Sequence, residues 1–482
     1  MGVRTVELLM LIAYNLALLG IGYHYRKKSD TQGQFWVAER SIGAFVNGTG
    51  IFAAVASAAS YMGFIAMGYV YGMPISLVII AAASAGYAFA MFGFAAPLQR
   101  MGRFSLADVF GVRYGPAARL IAATLTIIFF FMYLIPQLKG GALILQMVLG
   151  IPYTFGVIFI GAVFVLYVAI GGMYAVTWTE FIQGLVKTFC MGGLIIAILV
   201  ATNGPGNLFR SAMEAAPNFA TVSPKMPMIS VVGLFLSIFL FMGASPHVVQ
   251  RQLTARTPHI GRLSFVIAIC MYAFFVFFGY MCIIPAGKIF FPNLKDADNL
   301  ILYMIDHYFD PIVAGVMLAG IMAAVQATVA TMLLVIGANV ANDLYKNFIN
   351  KDATEKQTVR VGKLACVLVG GLATIIALDP PGLIGVLVSL LTGIVGSTFF
   401  FPLWLGLWWR RTTGAGSIAG MLGGFIIYTI LHLTKLMPLF AATIPAAIAS
   451  LLLTVIVSLL TEPPSAEITR LVEEIRDNVA IG

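Results

Sequence analysis

Four titratable side chains within or at the edge of long apolar segments of this 482-residue sequence are candidates for chemistry. They are Lys139, Glu180, Lys187 and His247. A charge at the centre of a membrane costs about 2.5–3.5 kcal/mol on insertion scales, so intramembrane charges are usually retained to pass an ion or hold a solute. The sequence lacks His-Glu-x-x-His, Gly-x-Ser-x-Gly and paired intramembrane carboxylates. These residues therefore predict transport and not catalysis.

The composition excludes an ordinary water-soluble protein. Only 10% of the residues are charged and 60% are hydrophobic, with a mean hydropathy of +0.98, whereas soluble domains carry roughly 25% charged residues. No Asp, Glu, Lys or Arg occurs from Ser41 to Gln99. Because a helix crosses a bilayer with about 20 apolar residues, the fold class predicted is an all-α, polytopic membrane protein.

Apolar runs between charges and Gly/Pro breaks predict thirteen transmembrane helices. Their approximate bounds are 5–25, 45–70, 74–98, 118–149, 153–172, 179–201, 229–248, 260–285, 311–340, 358–378, 382–409, 415–434 and 439–461. Lys and Arg collect on the cytoplasmic side of membrane proteins. With the N-terminus outside, 20 of the 28 Lys and Arg fall in inner segments and six in outer ones. The predicted orientation is therefore N-terminus outside and C-terminus inside.

Two predicted helices contain interruptions in corresponding places. The second is interrupted by Gly48-Thr49-Gly50 and then by the small, polar stretch 56–60. The seventh is interrupted at 243–247, where Pro246 cannot donate a helical hydrogen bond. Small residues also serve simple helix packing. However, paired broken helices in inverted repeats indicate a transporter binding site at the midplane, and helices two to six and seven to eleven would be the two repeats.

Several motifs resemble the sodium:solute symporter family, which includes the sodium–glucose, proline and pantothenate symporters. The motifs are residues 171–184 (GGMYAVTWTEFIQG), 323–328, 342–346 (NDLYK), 399–424 (FFFPLWLGLWWRRTTGAGSIAGMLGG), and 104–109 with 113–115. The resemblance extends from about Phe35 to Gly424. Within the family, 57–61 and Pro246-His247 resemble the branch that carries acetate and other short monocarboxylates.

The resemblance implies a LeuT-like fold, with two inverted five-helix repeats, one helix before them and two after. The domain expected is a transporter unit over 1–462, with core repeats at about 45–201 and 229–409. A short cytoplasmic tail, 463–482, follows it. The same reasoning predicts that the protein lies in a cell membrane, specifically a bacterial inner membrane.

The resemblance also implies a cation site between the first and eighth core helices. Its carbonyl ligands would come from Ala53, Ala56 and Ala324, and its hydroxyl ligands from positions 327 and 328. This sequence has Ala327 and Thr328, so one hydroxyl is missing and sodium coupling is open to question. Thr328 could instead satisfy only local carbonyls. No other cofactor is expected beyond Na⁺ or H⁺ as the coupling ion.

Glu180 matches a family Asp that is implicated in cation passage. It is the only acidic residue between Arg119 and Thr202. The alternative is that Glu180 merely lies at a helix N-terminus, where an anion is favourable.

The solute site implied by the resemblance lies on the first, sixth and tenth core helices. The matching residues are Ser57, Ser60, Ser245, His247 and Ser389. Small hydroxyls in place of large amides disfavour a sugar, whereas N–H groups at broken helix ends favour a small carboxylate. His247 could donate a hydrogen bond or carry a coupled proton.

Lys139 is predicted to lie within the hydrocarbon core, where it would attract the solute carboxylate or neutralise part of the deficit at the cation site. The alternative is that its long side chain reaches outward to the membrane interface, and the same behaviour is expected of Lys187 at the inner edge of its helix.

The sequence thus predicts a secondary active symporter that imports an acetate- or pyruvate-like monocarboxylate on a Na⁺ or H⁺ gradient. Pantothenate or an amino acid is the alternative solute, and a membrane sensor the alternative function. Its partners would be the solute and the lipid bilayer, without nucleic acid or an obligate protein partner.

Overall fold

The computed structural model describes residues 4–25, 31–380 and 382–476, and within them it contains helices and no strand. The N-terminal half, to the end of the first predicted repeat, contains α1 (Thr5–Tyr25), α2 (Gln32–Val37), α3 (Ala44–Val55), α4 (Ala59–Tyr71), α5 (Met73–Gly93), α6 (Ala95–Met101), α7 (Leu106–Tyr114), α8 (Pro116–Leu149), α9 (Tyr153–Ala201) and α10 (Pro205–Ala215).

The C-terminal half continues with α11 (Met228–Ala244), α12 (Pro246–Leu253), α13 (Pro258–Phe290), α14 (Leu300–Tyr308), α15 (Pro311–Ile349), α16 (Glu355–Ile376), α17 (Ile384–Trp408), α18 (Gly414–Leu433), α19 (Thr443–Leu460) and α20 (Ala466–Arg476). In the described part of the chain, ten helical stretches are long and apolar enough to cross a membrane, and α3 with α4 makes eleven. Two shorter apolar helices, Thr5–Leu18 and Tyr153–Val165, coincide with the first and fifth predicted spans. The count of thirteen and the orientation stay predictions.

Helix α9 differs from its predicted form. Residues 153–201 form one continuous helix, so no helix begins near position 179. Lys187 therefore lies about four helical turns before the end of α9 at Ala201, and Glu180 lies about two turns before Lys187. The alternative in which Glu180 marks a helix N-terminus is wrong, because the helix continues through this position.

The first predicted break is present, but only at one of its two proposed places. Helices α3 and α4 meet at an angle of 60°, and Ala56 between them has non-helical dihedral angles (φ −71°, ψ 74°). Gly48-Thr49-Gly50 is helical. These glycines permit close packing instead: a Cβ on Gly48 would overlap α13, and a Cβ on Gly50 would lie 3.4 Å from the Glu180 carboxylate.

The second break falls at Ser245, between α11 and α12. Ser245 is extended (φ −64°, ψ 134°) and Pro246 begins α12. A proline is tolerated at the first position of a helix because an N–H there would have no acceptor within the helix. Helix α3 packs on α9 and α13, and α11 packs on α5 and α17. The two broken helices are thus surrounded by other helices, as a site of freed backbone groups inside a membrane requires.

The predicted tail is partly structured. Within it, α20 buries Val472 and Ile475, and Arg100 donates a hydrogen bond to the Ile475 carbonyl at 2.8 Å. Residues 477–482 of the tail lie outside the described residues.

Candidate cation and solute site

The end of α3 exposes carbonyl groups that no helical N–H satisfies, as at every helix C-terminus. Two of them are the carbonyls predicted for a cation, those of Ala53 and Ala56. The ammonium group of Lys187 donates hydrogen bonds to both, at 2.7 Å to Ala53 and 2.8 Å to Ala56. A positive charge is favourable here, because the helix dipole places negative partial charge at a C-terminus.

The prediction that Lys187 reaches toward the membrane interface is therefore wrong. Its side chain is fully buried, because it starts from the interior of α9 and the broken end of α3 lies beside it. The rings of Phe52 and Tyr61 have their centroids 5.6 and 5.9 Å from the ammonium nitrogen. An aromatic face attracts a cation within about 6 Å, so these rings add to the two carbonyls.

Helix α15 supplies the opposite wall of this site. The Thr328 hydroxyl donates to the Ala54 carbonyl at 2.7 Å and lies 3.2 Å from the Ala324 carbonyl. The structure thus brings together all four residues predicted for the cation, and Ala327, buried on the same helix, contributes no hydroxyl. It adds an ammonium group that sequence analysis did not place there.

A buried ion pair lies between α9 and α12, near the cation site. The Glu180 carboxylate accepts hydrogen bonds from the Arg251 guanidinium and the Thr331 hydroxyl. Arg251 also donates to the Thr177 hydroxyl at 2.9 Å. Arg251, which is one of the 20 Lys and Arg counted in inner segments from the sequence, lies within α12 and is 1% exposed. The pair lies against α3, since a Cβ on Gly50 would lie 3.4 Å from the Glu180 carboxylate.

On the other side of the break, the predicted serines hold the backbone of α4. The Ser60 hydroxyl lies 3.1 Å from the Tyr272 hydroxyl, and Tyr280 donates to the Ser60 carbonyl at 2.7 Å. Ser57 accepts from the Ala59 N–H at 3.1 Å. Both serines are buried, so they lie at the break as predicted, with protein partners already in place.

Sequence analysis missed three polar residues of this region: Tyr87, Tyr133 and Gln137. Gln137 accepts a hydrogen bond from the Ala58 N–H at 3.1 Å, and Tyr133 interacts with Ser57. The Tyr87 hydroxyl and the Gln137 amide nitrogen are buried and have no hydrogen-bond partner among the described residues. The sequence did carry a signal for these residues: they are polar side chains within apolar helices, and buried polar groups require hydrogen-bond partners.

Ser245 and His247 form a pair at the second break. The Ser245 hydroxyl lies 2.6 Å from Nδ1 of His247, and the imidazole packs against Phe130 and Phe241 with ring centroids 5.5 Å away in each case. Tyr133 stacks on the same Phe241, so this pair adjoins the polar cluster. Ser389 is also buried, and its nearest recorded partner is the sulfur of Met67 at 3.9 Å.

Lys139 already has an anionic partner within the protein. Its ammonium lies 2.7 Å from the Asp298 carboxylate and 2.7 Å from the Gly382 carbonyl. Asp298 also accepts from the N–H of Ile384 at the start of α17, at 3.0 Å. Burial raises the pKa of the Asp298 carboxyl, and the charge of Lys139 opposes that rise. The structure therefore places Lys139 in a buried ion pair near the N-terminus of α17.

Solved structures with the same fold are transporters. The chain aligns with a substrate-bound Na⁺-coupled sialic acid symporter at a TM-score of 0.81, over 95% of this chain and 99% of that one, with 18% identity. It also aligns with Mhp1, a nucleobase-cation-symport-1 family transporter in a closed conformation with bromovinylhydantoin bound. There the TM-score is 0.55 over 92% and 98% of the two chains, with 16% identity. At these identities the likeness shows the fold, a LeuT-like arrangement of helices.

The model of the sodium:solute symporter family matches residues 35–424. The chain belongs to the sodium:solute symporter family. The sodium/proline symporter of Staphylococcus aureus (strain Newman) is 26% identical over 498 residues, covering 98% of this chain and 96% of that protein. The predicted family is confirmed, and the protein is a multi-pass membrane transporter of the solute-symporter kind.

Proposed function

We propose that this protein is a secondary active symporter of a small organic anion of the acetate or pyruvate class. Family membership supports solute symport in general. The assignment of a monocarboxylate as the solute is the more specific part of the proposal. The solute would lie at the break between α3 and α4, with Ser57, Ser60, Ser245, His247 and Ser389 around it. In this proposal Ala53, Ala56, Ala324 and Thr328 line the coupling-ion position, and Glu180 lies on the ion path.

The observation that supports the proposal most strongly is a pair of buried hydrogen-bond donors beside the break that have no acceptor among the described residues. The Tyr87 hydroxyl and the Gln137 amide nitrogen have no acceptor among the described residues. Tyr87 packs against Tyr272, with ring centroids 6.3 Å apart, and Tyr272 contacts Ser60 at the break. A carboxylate has two acceptor oxygens and no donor, so it complements such donors. Hydrogen bonds to a charged group contribute about 1.5–3 kcal/mol each.

The test is counterflow in proteoliposomes with equal sodium and equal pH on both sides. Vesicles preloaded with unlabelled pyruvate should take up labelled pyruvate transiently, and acetate should compete. Proline, the solute named for the staphylococcal relative, and sialic acid serve as comparison solutes. Counterflow needs no gradient of the coupling ion, and sodium and protons are present equally on both sides, so this test addresses the solute and not the driving ion. Counterflow of proline with none of pyruvate or acetate would contradict the monocarboxylate assignment.

Replacing Tyr87 with Phe should raise the apparent KM for pyruvate counterflow about tenfold or more, because one hydrogen bond to the carboxylate is lost. The ring remains to pack against Tyr272 and Phe265, so stability should change little. Tyr153→Phe is the matched control, since its hydroxyl donates to the Ala377 carbonyl at 3.0 Å. It should leave the KM unchanged. An unchanged KM in Tyr87→Phe would remove Tyr87 from the solute site.

A further inference from the structure

We propose that a groove between α8, α17 and α18 binds one anionic phospholipid, with an acyl chain in its apolar part and the phosphate at Lys435 and His432. The site goes beyond the proposed function, because it needs neither the solute nor the coupling ion. The observation is a pair of adjoining cavities, one apolar and one with basic side chains in its wall.

The apolar cavity is a crevice of about 360 Å³ between helices that are long enough to cross a membrane. Met132 and Pro136 of α8 form one wall, and apolar residues of α17 between positions 387 and 394 form another. Met132 and Ile376 are 44% and 48% exposed, so the crevice opens to the surface that faces the bilayer. The wall on α17 is about 10 Å long, in a hydrocarbon core about 30 Å thick. A lipid acyl chain is the apolar material that meets a crevice at this depth.

The second cavity, of about 410 Å³, continues this crevice past the end of α18. Tyr428 and His432 line both cavities, and their rings stack with centroids 6.2 Å apart. The Tyr428 hydroxyl donates to the Leu390 carbonyl at 2.7 Å, which fixes α18 to α17 at the junction. The two cavities therefore form one continuous groove from the apolar interior to the end of α18.

Lys435 supplies the positive charge that an anionic headgroup requires. It lines the second cavity and is exposed. It is the only charged residue between Arg411 and Glu462, and the ion pairs among the described residues do not include it. His432 adds a ring N–H that can donate to a phosphate oxygen. A phosphate at this end of the groove would therefore complement a charge that the chain leaves without a counter-charge.

The groove favours a phospholipid over a soluble anion, because a soluble anion has no apolar part to occupy the crevice. It favours an anionic lipid over phosphatidylcholine, whose choline group carries a positive charge close to its phosphate. A helix from a second copy of this chain is another apolar occupant, and it would be detected as a dimer.

A bound lipid would hold together two helices that carry residues of the solute site. Gln137 follows Pro136 on α8, and Ser389 precedes Leu390 on α17. Because a ligand that binds only the folded protein stabilises it, added phosphatidylglycerol should raise the Tm of the delipidated protein. This effect does not depend on which solute is transported.

The test is native mass spectrometry of the purified, delipidated protein with equal amounts of dioleoyl phosphatidylglycerol and dioleoyl phosphatidylcholine. One phosphatidylglycerol per chain should be retained in preference to phosphatidylcholine. Lys435→Gln should weaken its binding about fivefold, which is the contribution of one lysine near an anionic lipid. Lys225→Gln alters an exposed lysine outside both cavities and should bind phosphatidylglycerol as the wild type does.

A second variant, Leu387→Trp, tests the apolar part of the groove. The larger side chain should fill the crevice and remove both the retained phosphatidylglycerol and the rise in Tm. Leu452→Trp is the matched control, since Leu452 is 50% exposed on α19 and lies outside both cavities. Equal retention of the two lipids by the wild type, unweakened binding by Lys435→Gln, tight binding by Leu387→Trp, or a dimer without lipid would each overturn the proposal. If Leu387→Trp does not fold, the result for Lys435→Gln decides.

Discussion

Replacing Glu180 with Gln should destabilise the protein by about 3–5 kcal/mol and abolish solute accumulation, because the change leaves the Arg251 charge buried without a counter-charge. Both side chains are at most 1% exposed, and α3 packs directly over them, with the Cα of Gly50 facing the carboxylate. Water therefore cannot take over the role of Glu180. Thermal unfolding of the purified protein measures the loss of stability, and proteoliposome uptake measures the loss of function.

A double variant separates the effect of breaking the ion pair from the effect of losing the Glu180 carboxylate alone. Glu180→Gln with Arg251→Gln removes both charges and should recover much of the stability, while accumulation stays absent. Glu473→Gln is the matched surface control: it breaks an exposed pair with Arg410, 2.8 Å apart, and should cost no more than about 1 kcal/mol. A Glu180→Gln protein as stable as the wild type would contradict the assignment of a tightly coupled pair.

Replacing Lys139 with Met should also have a large effect, of about 3–5 kcal/mol, because it leaves Asp298 buried without its ammonium partner. Asp298 is fully buried and caps the N-terminus of α17 through Ile384. The structure thus predicts that transport of anionic and neutral solutes falls together. A role in attracting the solute would instead raise the KM of anionic solutes alone.

Thermal unfolding and a comparison of KM values for pyruvate and a neutral solute together test this prediction. The double variant Lys139→Met with Asp298→Asn removes both charges and should regain stability. A selective loss of anion affinity in Lys139→Met, with stability unchanged, would show that Lys139 binds the solute and does not stabilise the N-terminus of α17.

Much of the helical framework was predictable from the sequence because apolar length and charge placement are local signals. The break at 56–58 was predictable for the same reason, as small, polar residues interrupt an apolar run there. Gly48-Thr49-Gly50 was misread as a break, because glycine also serves close packing, here against α13. Sequence alone does not distinguish these two uses of glycine.

The partners of the charged residues were not predictable, because each lies far away in the chain. Lys187 binds carbonyls 131 and 134 residues before it, and Lys139 meets Asp298 after 159 residues. The sixth helix was predicted to begin near position 179, whereas residues 153–201 form one helix, and this difference had placed Lys187 near the edge of a helix instead of in its interior. Tyr87 and Gln137 were missed because their neighbours come from other helices.

Sodium binding to the purified protein tests the central claim most directly. Radiolabelled sodium should bind equally to the wild type and to Thr328→Ala, because the Lys187 ammonium already binds the Ala53 and Ala56 carbonyls predicted for the cation. The solute is present in both measurements, so that the site is assembled. Sodium binding by the wild type that is lost in Thr328→Ala would contradict the account and return Ala53, Ala56, Ala324 and Thr328 to the role of sodium ligands.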